Sequence, residues 1–327
     1  MSVRRTRIAP SPTGSLHLGN ARTFALNWAL ARNEGWEIVL RVEDLDAERV
    51  KPGAREETLA VLDWLGIDHD GEVVVQSADL EPYRAAMRTL AARGRVFRCD
   101  RSRQDVRRAA SAPHVEDAEL RYDPSLRPAA DAFAFVDERA NHRLLVDPGA
   151  ERVRDELRGD CAFDPGVEVG DFLVWTKLGV PSYQLAVVVD DIRNGVTDVV
   201  RGDDLFASAA RQQLLYRLLG APTPRWWHLP LLHAADGRRL AKRHDDLSLA
   251  SLRAAGVRRE RVLGLVAAWS GFVASPRELA SDDFRGLVTV DTLRAMTARE
   301  RASADARARV LEEDVQWLYQ RDCDRSA

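Results

Sequence analysis

Cysteine is scarce and scattered in this chain. Cys99, Cys161 and Cys323 stand alone in 327 residues, with no CxxC pair among them. Isolated thiols argue against a disulfide framework and a complete cysteine zinc site, and they suit a reducing compartment. Long apolar runs are also missing: no segment reaches the ~18 residues of a membrane span, and the basic start "MSVRRTRIAP" leads into no apolar stretch. A cytoplasmic protein is the expectation. Neither sign of charge dominates, since 48 basic and 51 acidic residues leave a net charge of -3. A global attraction to nucleic acid is therefore excluded, and any such contact must come from a local patch. Low-complexity tracts and internal repeats are absent as well. Lysine is the rarest cation, with only Lys51, Lys177 and Lys242 set among 45 arginines, so each lysine draws notice.

What is present reads as an ordinary globular chain, 45% hydrophobic and 30% charged. "RTRIAP" has the pattern of a short strand, and "NARTFALNWALARNEG" follows it with helical spacing, Asn20 as N-cap and Gly35 at the stop. "WEIVLRVEDLD" is then a strand ending in acids, which completes a βαβ unit. Helices are predicted over 53–67 and 80–97, whereas 98–165 loses its periodicity in stretches such as "SAPHVEDAELRYDPSLRPAAD". "DFLVWTKL" and the near-continuously apolar "PSYQLAVVVDD" read as strands, the second as a buried parallel one. From Leu247 onward the pattern is helical.

The loop "APSPTGSLHLGN" joins the first strand to the first helix. Gly14 and Gly19 remove side chains where a ligand can approach the backbone, and a helix N-terminus behind them favours phosphate. His17 adds a donor for phosphate oxygens, so the loop has the makings of a nucleotide cradle without a Walker lysine. Far downstream, "DGRRLAKRHDD" places Lys242 in a charged, glycine-containing loop.

Those two loops resemble the HIGH motif ("HLGN") and the KMSKS motif ("RLAKR", 239–243) of the class I aminoacyl-tRNA synthetases. The glutamyl branch is closer still, through "RIAPSPTGSLHLGNAR", "LRVEDLD", "PSYQLAVVVDD", "VVRGDDL" and "HLPLLHAADGRRLAK". The resemblance implies an α/β fold: a Rossmann-like parallel sheet in two catalytic halves, 1–78 and 169–246. An inserted α+β, acceptor-binding-like module over 79–168 would split them, and a small helical region over 247–327 would follow. It also implies attack of an amino-acid carboxylate on the α-phosphorus of ATP, with Mg2+ sharing the charge. Pro12, His17, Gly19 and Asn20 would hold ATP together with Arg239, Leu240, Ala241, Lys242 and Arg243. His17, Asn20 and Lys242 would be catalytic, Lys242 by stabilising the leaving pyrophosphate. Asn20 stands at the motif's final histidine, and Ala241 replaces a serine. For L-glutamate, the resemblance implies that Arg7, Arg201 and Tyr183 take the carboxylates, that Glu43 takes the ammonium, and that Ala9 and Ser11 line the pocket. Which arginine reads which carboxylate stays open. Asp44, Asp46, Asp190 and Asp191 are given structural roles only.

Lys242 leaves 85 residues behind it, too few for the anticodon-binding region of a full glutamyl-tRNA synthetase. That layout resembles a short paralogue family, the glutamyl-queuosine tRNA(Asp) synthetases, which activate glutamate without tRNA and attach it to queuosine in the anticodon of tRNA(Asp). A monomer is expected. Arg101, Arg103, Arg107 and Arg108 are candidates for contacts to a single-stranded loop. Members of that family often bind zinc through CxC and YxxxC, but here Arg101 and Leu126 replace two ligands. Cys99 and Tyr122 would be a vestige, and no resident zinc is expected. The alternatives are a truncated synthetase that esterifies a tRNA 3' end and a catalytically silent paralogue that binds tRNA or a nucleotide.

Overall fold

The computed structural model describes residues 3–101, 121–129, 133–238, 240 and 248–320. Its centre is a parallel sheet that starts with β1 (Arg5–Ile8), α1 (Leu18–Asn33) and β2 (Glu37–Val42), the βαβ unit expected from the sequence. After α2 (Ala54–Trp64), β3 (Val74–Val75) pairs with β2, and α3 (Glu81–Ala92) leads away from the sheet.

An antiparallel sheet is formed by β4 (Val96–Arg98), β5 (His142–Leu144) and, later in the chain, β8 (Leu173–Trp175). Between them, β6 (Glu151–Asp155) and β7 (Gly159–Phe163) form an antiparallel hairpin, followed by the short α4 (Pro165–Glu168). The chain then runs through α5 (Tyr183–Arg193), β9 (Asp198–Gly202), α6 (Phe206–Leu219) and β10 (Arg225–Leu229). β9 and β10 are parallel neighbours, and β6 joins β10 at Trp226 and Asp155. Across the middle, the Thr197 amide donates to the Arg5 carbonyl at 2.8 Å, which sets β9 beside β1.

Two readings of local structure change. "PSYQLAVVVDD" is the helix α5, buried from Gln184 through Asp191. A short apolar run is equally compatible with a buried strand and a buried helix, and only the neighbours decide. Here α3, α6 and the sheet pack on the helix, and Asp190 and Asp191, which strand alternation would put on opposite faces, find Arg193 of the same helix and Arg41 of β2. The second change is at α1, whose N-cap is His17, with Asn20 at the third helical position. Starting the helix there puts Leu18 fully into the core.

The C-terminal part is helical as expected, with α7 (Leu249–Ala254), α8 (Arg259–Trp269), α9 (Ser281–Leu287), α10 (Val290–Ala302) and α11 (Glu312–Tyr319). The pattern did not reveal β12 (Arg309–Val310), which pairs in parallel with β11 (His233–Ala234). Val262, Val266, Leu293 and Met296 share one core with Ile8, Leu26 and Ile38, so these helices cover one side of the sheet. On the other side Tyr83, Leu185, Val188, Leu215 and Trp226 form a second core. Between helices on both faces, a crevice opens at the carboxyl ends of β1 and β9. Among the described residues no helix is long and apolar enough to cross a membrane.

Candidate active site

A cleft of about 430 Å3 lies in that crevice. Arg7 at the end of β1 and Arg201 at the end of β9 face it, with Ala9, Ser11, Glu43 and Tyr183. His17, Gly19, Asn20 and Leu240 line its other part. Pro12 is buried and is not in the lining. Arg239, Ala241, Lys242 and Arg243 lie outside the described residues.

The loop geometry at His17 differs from an open anion cradle. Its Nδ1 accepts the Gly19 amide at 3.1 Å, its own amide donates to Asn20 Oδ1 at 3.0 Å, and its carbonyl takes the Asn20 and Ala21 amides. The first amides of α1 are therefore spent on the cap. With Nδ1 as acceptor, the neutral ring carries its proton on Nε2, the nitrogen that can donate to a phosphate oxygen. Gly19 has a matching reason: a Cβ there would stand 2.9 Å from His17 Cε1. The missing side chain admits the imidazole. Apolar Phe24, Val200, Leu231 and Leu232 are lining residues that the sequence reading did not single out, and they suit a purine face.

The glutamate-pocket candidates sit on a buried charge network. Arg41, fully buried, donates from Nη1 to Asp191 at 2.6 Å and from Nη2 to Glu43 Oε1 at 3.0 Å. Arg7 donates to the Val200 carbonyl at 3.0 Å, and its Nε lies 3.5 Å from Asp191 with no hydrogen-bond partner among the described residues. Burial pushes the Glu43 carboxyl above its ordinary range, while Arg41 and Arg7 pull it back. Asp190 is held by Gln76, Tyr83 and Arg193, and its carboxylate also lies 3.7 Å from Arg41 Nε. Asp44 binds the Ser77 amide and hydroxyl, at 2.9 and 2.7 Å, and Asp46 pairs with Arg49 at the surface. Asp191 and Arg41 thus organise the pocket, a role the sequence did not reveal: an acid after an apolar run gives no sign of where it packs.

Arg201 is different. Its Nε donates to His228 Nε2 at 3.0 Å, Nη1 to Gln212 at 2.8 Å and Nη2 to the Leu205 carbonyl at 3.1 Å. Every partner is neutral, and among the described residues no carboxylate lies within 4.0 Å of it. Burial draws its pKa below the usual arginine value. The charges of Arg7 and Arg41 match those of Glu43 and Asp191, and Asp204 also lines the cleft, so what sets Arg201 apart is a guanidinium that no carboxylate engages directly among the described residues.

The zinc-like position is an apolar cluster of Phe97, Cys99 and Tyr122, with Leu126 packed against it. Tyr122 donates its hydroxyl to the Leu126 carbonyl at 2.9 Å. Among the described residues no group of three or more His, Cys, Asp or Glu could hold a metal. Arg103, Arg107 and Arg108 fall outside those residues.

A crevice at the strand ends, a histidine-capped helix and an anion-seeking pocket agree with a sequence profile described as tRNA synthetases class I (E and Q), catalytic domain, which matches residues 3–305. The chain belongs to the class I tRNA synthetases of that E and Q group. Among relatives of this synthetase, the glutamyl-Q tRNA(Asp) synthetase of Symbiobacterium thermophilum is 43% identical over 85% of this chain and 90% of its own length. Glutamate–tRNA ligase 1 of Xanthobacter autotrophicus is 40% identical over 78% of this chain, which spans about half (54%) of that protein. The crystal structure of a glutamate–tRNA synthetase from Elizabethkingia anophelis superposes with a TM-score of 0.77 at 23% identity, covering 97% of this chain and 70% of the other. This likeness shows the fold expected from the sequence, the Rossmann-like α/β core of a class I synthetase.

Proposed function

We propose that this synthetase activates L-glutamate with ATP in the absence of tRNA and transfers it to the queuosine base in the anticodon of tRNA(Asp). The observation that carries the reading is the charge of the pocket. Glutamate, with two carboxylates and one ammonium, can set a carboxylate on the Arg201 guanidinium, whose partners among the described residues are all neutral; glutamine offers a neutral amide in place of the side-chain carboxylate. Arg7 and Arg201 with Tyr183 are the carboxylate contacts in this reading, Glu43 is the ammonium contact, and Ala9 and Ser11 complete the wall.

In the first step an oxygen of the substrate α-carboxylate attacks the α-phosphorus, the new bond forms in line with the breaking bond, and pyrophosphate leaves. His17 Nε2–H and the Asn20 amide serve phosphate oxygens, Gly19 and Leu240 border the nucleotide, and Lys242 with Arg239, Ala241 and Arg243 meets the leaving pyrophosphate. Preorganised donors of this kind carry most of the acceleration in phosphoryl chemistry. Mg2+ enters with the triphosphate, and no step is assigned to it. Zinc has no part in the reading. The glutamyl-Q acceptor is favoured by the resemblance to the Symbiobacterium enzyme, which extends over 85% of the chain against 78% for the Xanthobacter ligase. Residues 79–168, inserted between catalytic halves 1–78 and 169–246, would receive the anticodon loop, with 247–327 behind them. A cytoplasmic monomer belongs to the same reading.

Two measurements test it. Purified protein with glutamate, ATP and Mg2+ exchanges labelled pyrophosphate into ATP without tRNA, and Lys242→Ala lowers the rate by at least ~10-fold. Mass spectrometry of nuclease-digested product then finds glutamate on queuosine of tRNA(Asp), and none on the tRNA with unmodified guanine there. A strict tRNA requirement together with a 3'-terminal adenosine ester would establish a truncated glutamyl-tRNA synthetase instead, the reading that the 40% identity to the Xanthobacter ligase supports.

A further inference from the structure

Beneath Arg201 lies a chain of buried polar groups that the reaction itself does not touch. His228, on β10, is fully buried, and Asp155, at the end of β6, is 3% exposed. The Asp155 Oδ2 atom is 2.6 Å from His228 Nδ1 and accepts the His228 amide at 3.1 Å. Its Oδ1 accepts the Leu157 and Arg158 amides at 3.0 and 2.9 Å. Four donors on one carboxylate hold Asp155 rigid.

We propose that Asp155 and His228 are a positioning pair that sets Arg201 for the ligand carboxylate and so determines the affinity for the dicarboxylic amino acid. The inference rests on the glutamate reading above. It follows from what a histidine can offer at each nitrogen. Arg201 Nε–H needs an acceptor, and a neutral imidazole accepts only at the nitrogen without a proton. The Asp155 carboxylate takes the proton-bearing Nδ1, which leaves the Nε2 lone pair facing Arg201 at 3.0 Å. Gln212 fixes Nη1 and is itself held, donating to Gln184 Oε1 at 2.9 Å. The Trp226 ring lies 5.0 Å from the guanidinium carbon, which limits its tilt. Three of the five N–H groups of Arg201 are pinned in this way, and one on each terminal nitrogen is left for a ligand.

The intervening histidine also has an electrostatic purpose. A carboxylate placed directly on Arg201, as Asp191 is placed 3.5 Å from Arg7, would cancel the charge that the substrate must meet. A neutral imidazole orients the guanidinium and leaves its charge uncancelled. Asp155 acts one residue further back, through the tautomer. It arrives on a strand whose only registered partner on β10 is the Trp226 position, so the segment between the two catalytic halves supplies the anchor.

The test uses pyrophosphate exchange by the full chain, with glutamate and ATP varied separately. His228→Ala removes the acceptor, and Asp155→Asn frees the ring to take the tautomer that turns a donor toward Arg201, the fault known from Asp→Asn changes in catalytic triads. Both should raise the glutamate KM by at least ~10-fold and leave the ATP KM within about twofold, since loss of orientation at one contact acts only on the ligand it holds. His228→Gln restores an acceptor oxygen and should recover most of the glutamate KM, a rescue that a role in folding alone would not produce. A glutamate KM near wild type in Asp155→Asn, or equal losses for glutamate and ATP with no rescue by His228→Gln, would overturn the proposal even if His228→Ala does not fold. Wild-type protein that exchanges with another amino acid and not with glutamate would overturn the glutamate reading, and this inference with it.

Discussion

Arg22 and Glu300 offer the sharpest test of how the C-terminal helices hold the active site. Arg22, on α1, is 1% exposed and ion-paired with Glu300 of α10, which is 2% exposed. Arg22 also donates to the Pro230 carbonyl at 3.0 Å and to Ser270 Oγ at 3.3 Å. Arg22→Met keeps the aliphatic stem and removes the charge. Glu300 would then keep only the Ala308 amide at 3.3 Å and Arg299 at 3.5 Å, weak support for a buried carboxylate. Leaving one member of a buried pair alone costs ~3 to 5 kcal/mol, a large part of the ~5 to 15 kcal/mol by which domains are stable. The double variant Arg22→Met/Glu300→Leu should recover most of that loss, because it spares the desolvation of both ions. Urea unfolding of wild type, both single variants and the double variant closes a cycle, with an expected coupling of at least ~2 kcal/mol. Because Pro230 precedes Leu231 and Leu232 in the cleft wall, Arg22→Met should also raise the ATP KM. Single variants that each cost under ~1 kcal/mol, or a double variant that costs their sum, would refute the argument.

Three further outcomes follow from single sites. Burial and Arg201 hold the His228 pKa down from 6.5 to about 4, so between those values the unfolded chain binds a proton that the folded one refuses. The stability linked to this group is complete above pH 6.5 and falls by about 3 kcal/mol as the pH drops to 4; the urea midpoint of His228→Gln should show a shallower acid dependence than wild type, and parallel curves would count against it. In Gly19→Ala, alanine is the better helix former by ~1 kcal/mol, yet its Cβ meets the His17 ring at 2.9 Å, so stability should hold or rise while pyrophosphate exchange falls by ~10-fold. Elemental analysis of untagged protein should find well under one equivalent of zinc, because the Tyr122 hydroxyl is engaged by the Leu126 carbonyl at 2.9 Å and Cys99 is packed in an apolar cluster.

The sequence by itself determined the fold class and the family, because both rest on short-range signals. Helical spacing after a glycine- and proline-rich loop specifies a βαβ unit, and the HLGN and RLAKR stretches carry their resemblance in consecutive residues. Arg7, Ser11, His17, Glu43, Tyr183 and Arg201 could be named from such stretches, and the fold brings all six to one cleft. Tertiary structure alone decided what surrounds them. Residues 183–193 became a helix because neighbours, apolar ones and the partners of Asp190 and Asp191 together, bury every residue from Gln184 to Asp191, a fact that an apolar run cannot encode. His17 became the cap because Leu18 gains burial when the helix begins there. The charge balance of the pocket depends on Asp191 reaching Arg41 across 150 positions of chain, and the setting of Arg201 on Asp155 reaching His228 across 73. Periodicity and motif report on residues near in sequence, whereas the strength of a buried charge depends on whatever groups share its low-dielectric surroundings, and chain folding alone assembles those.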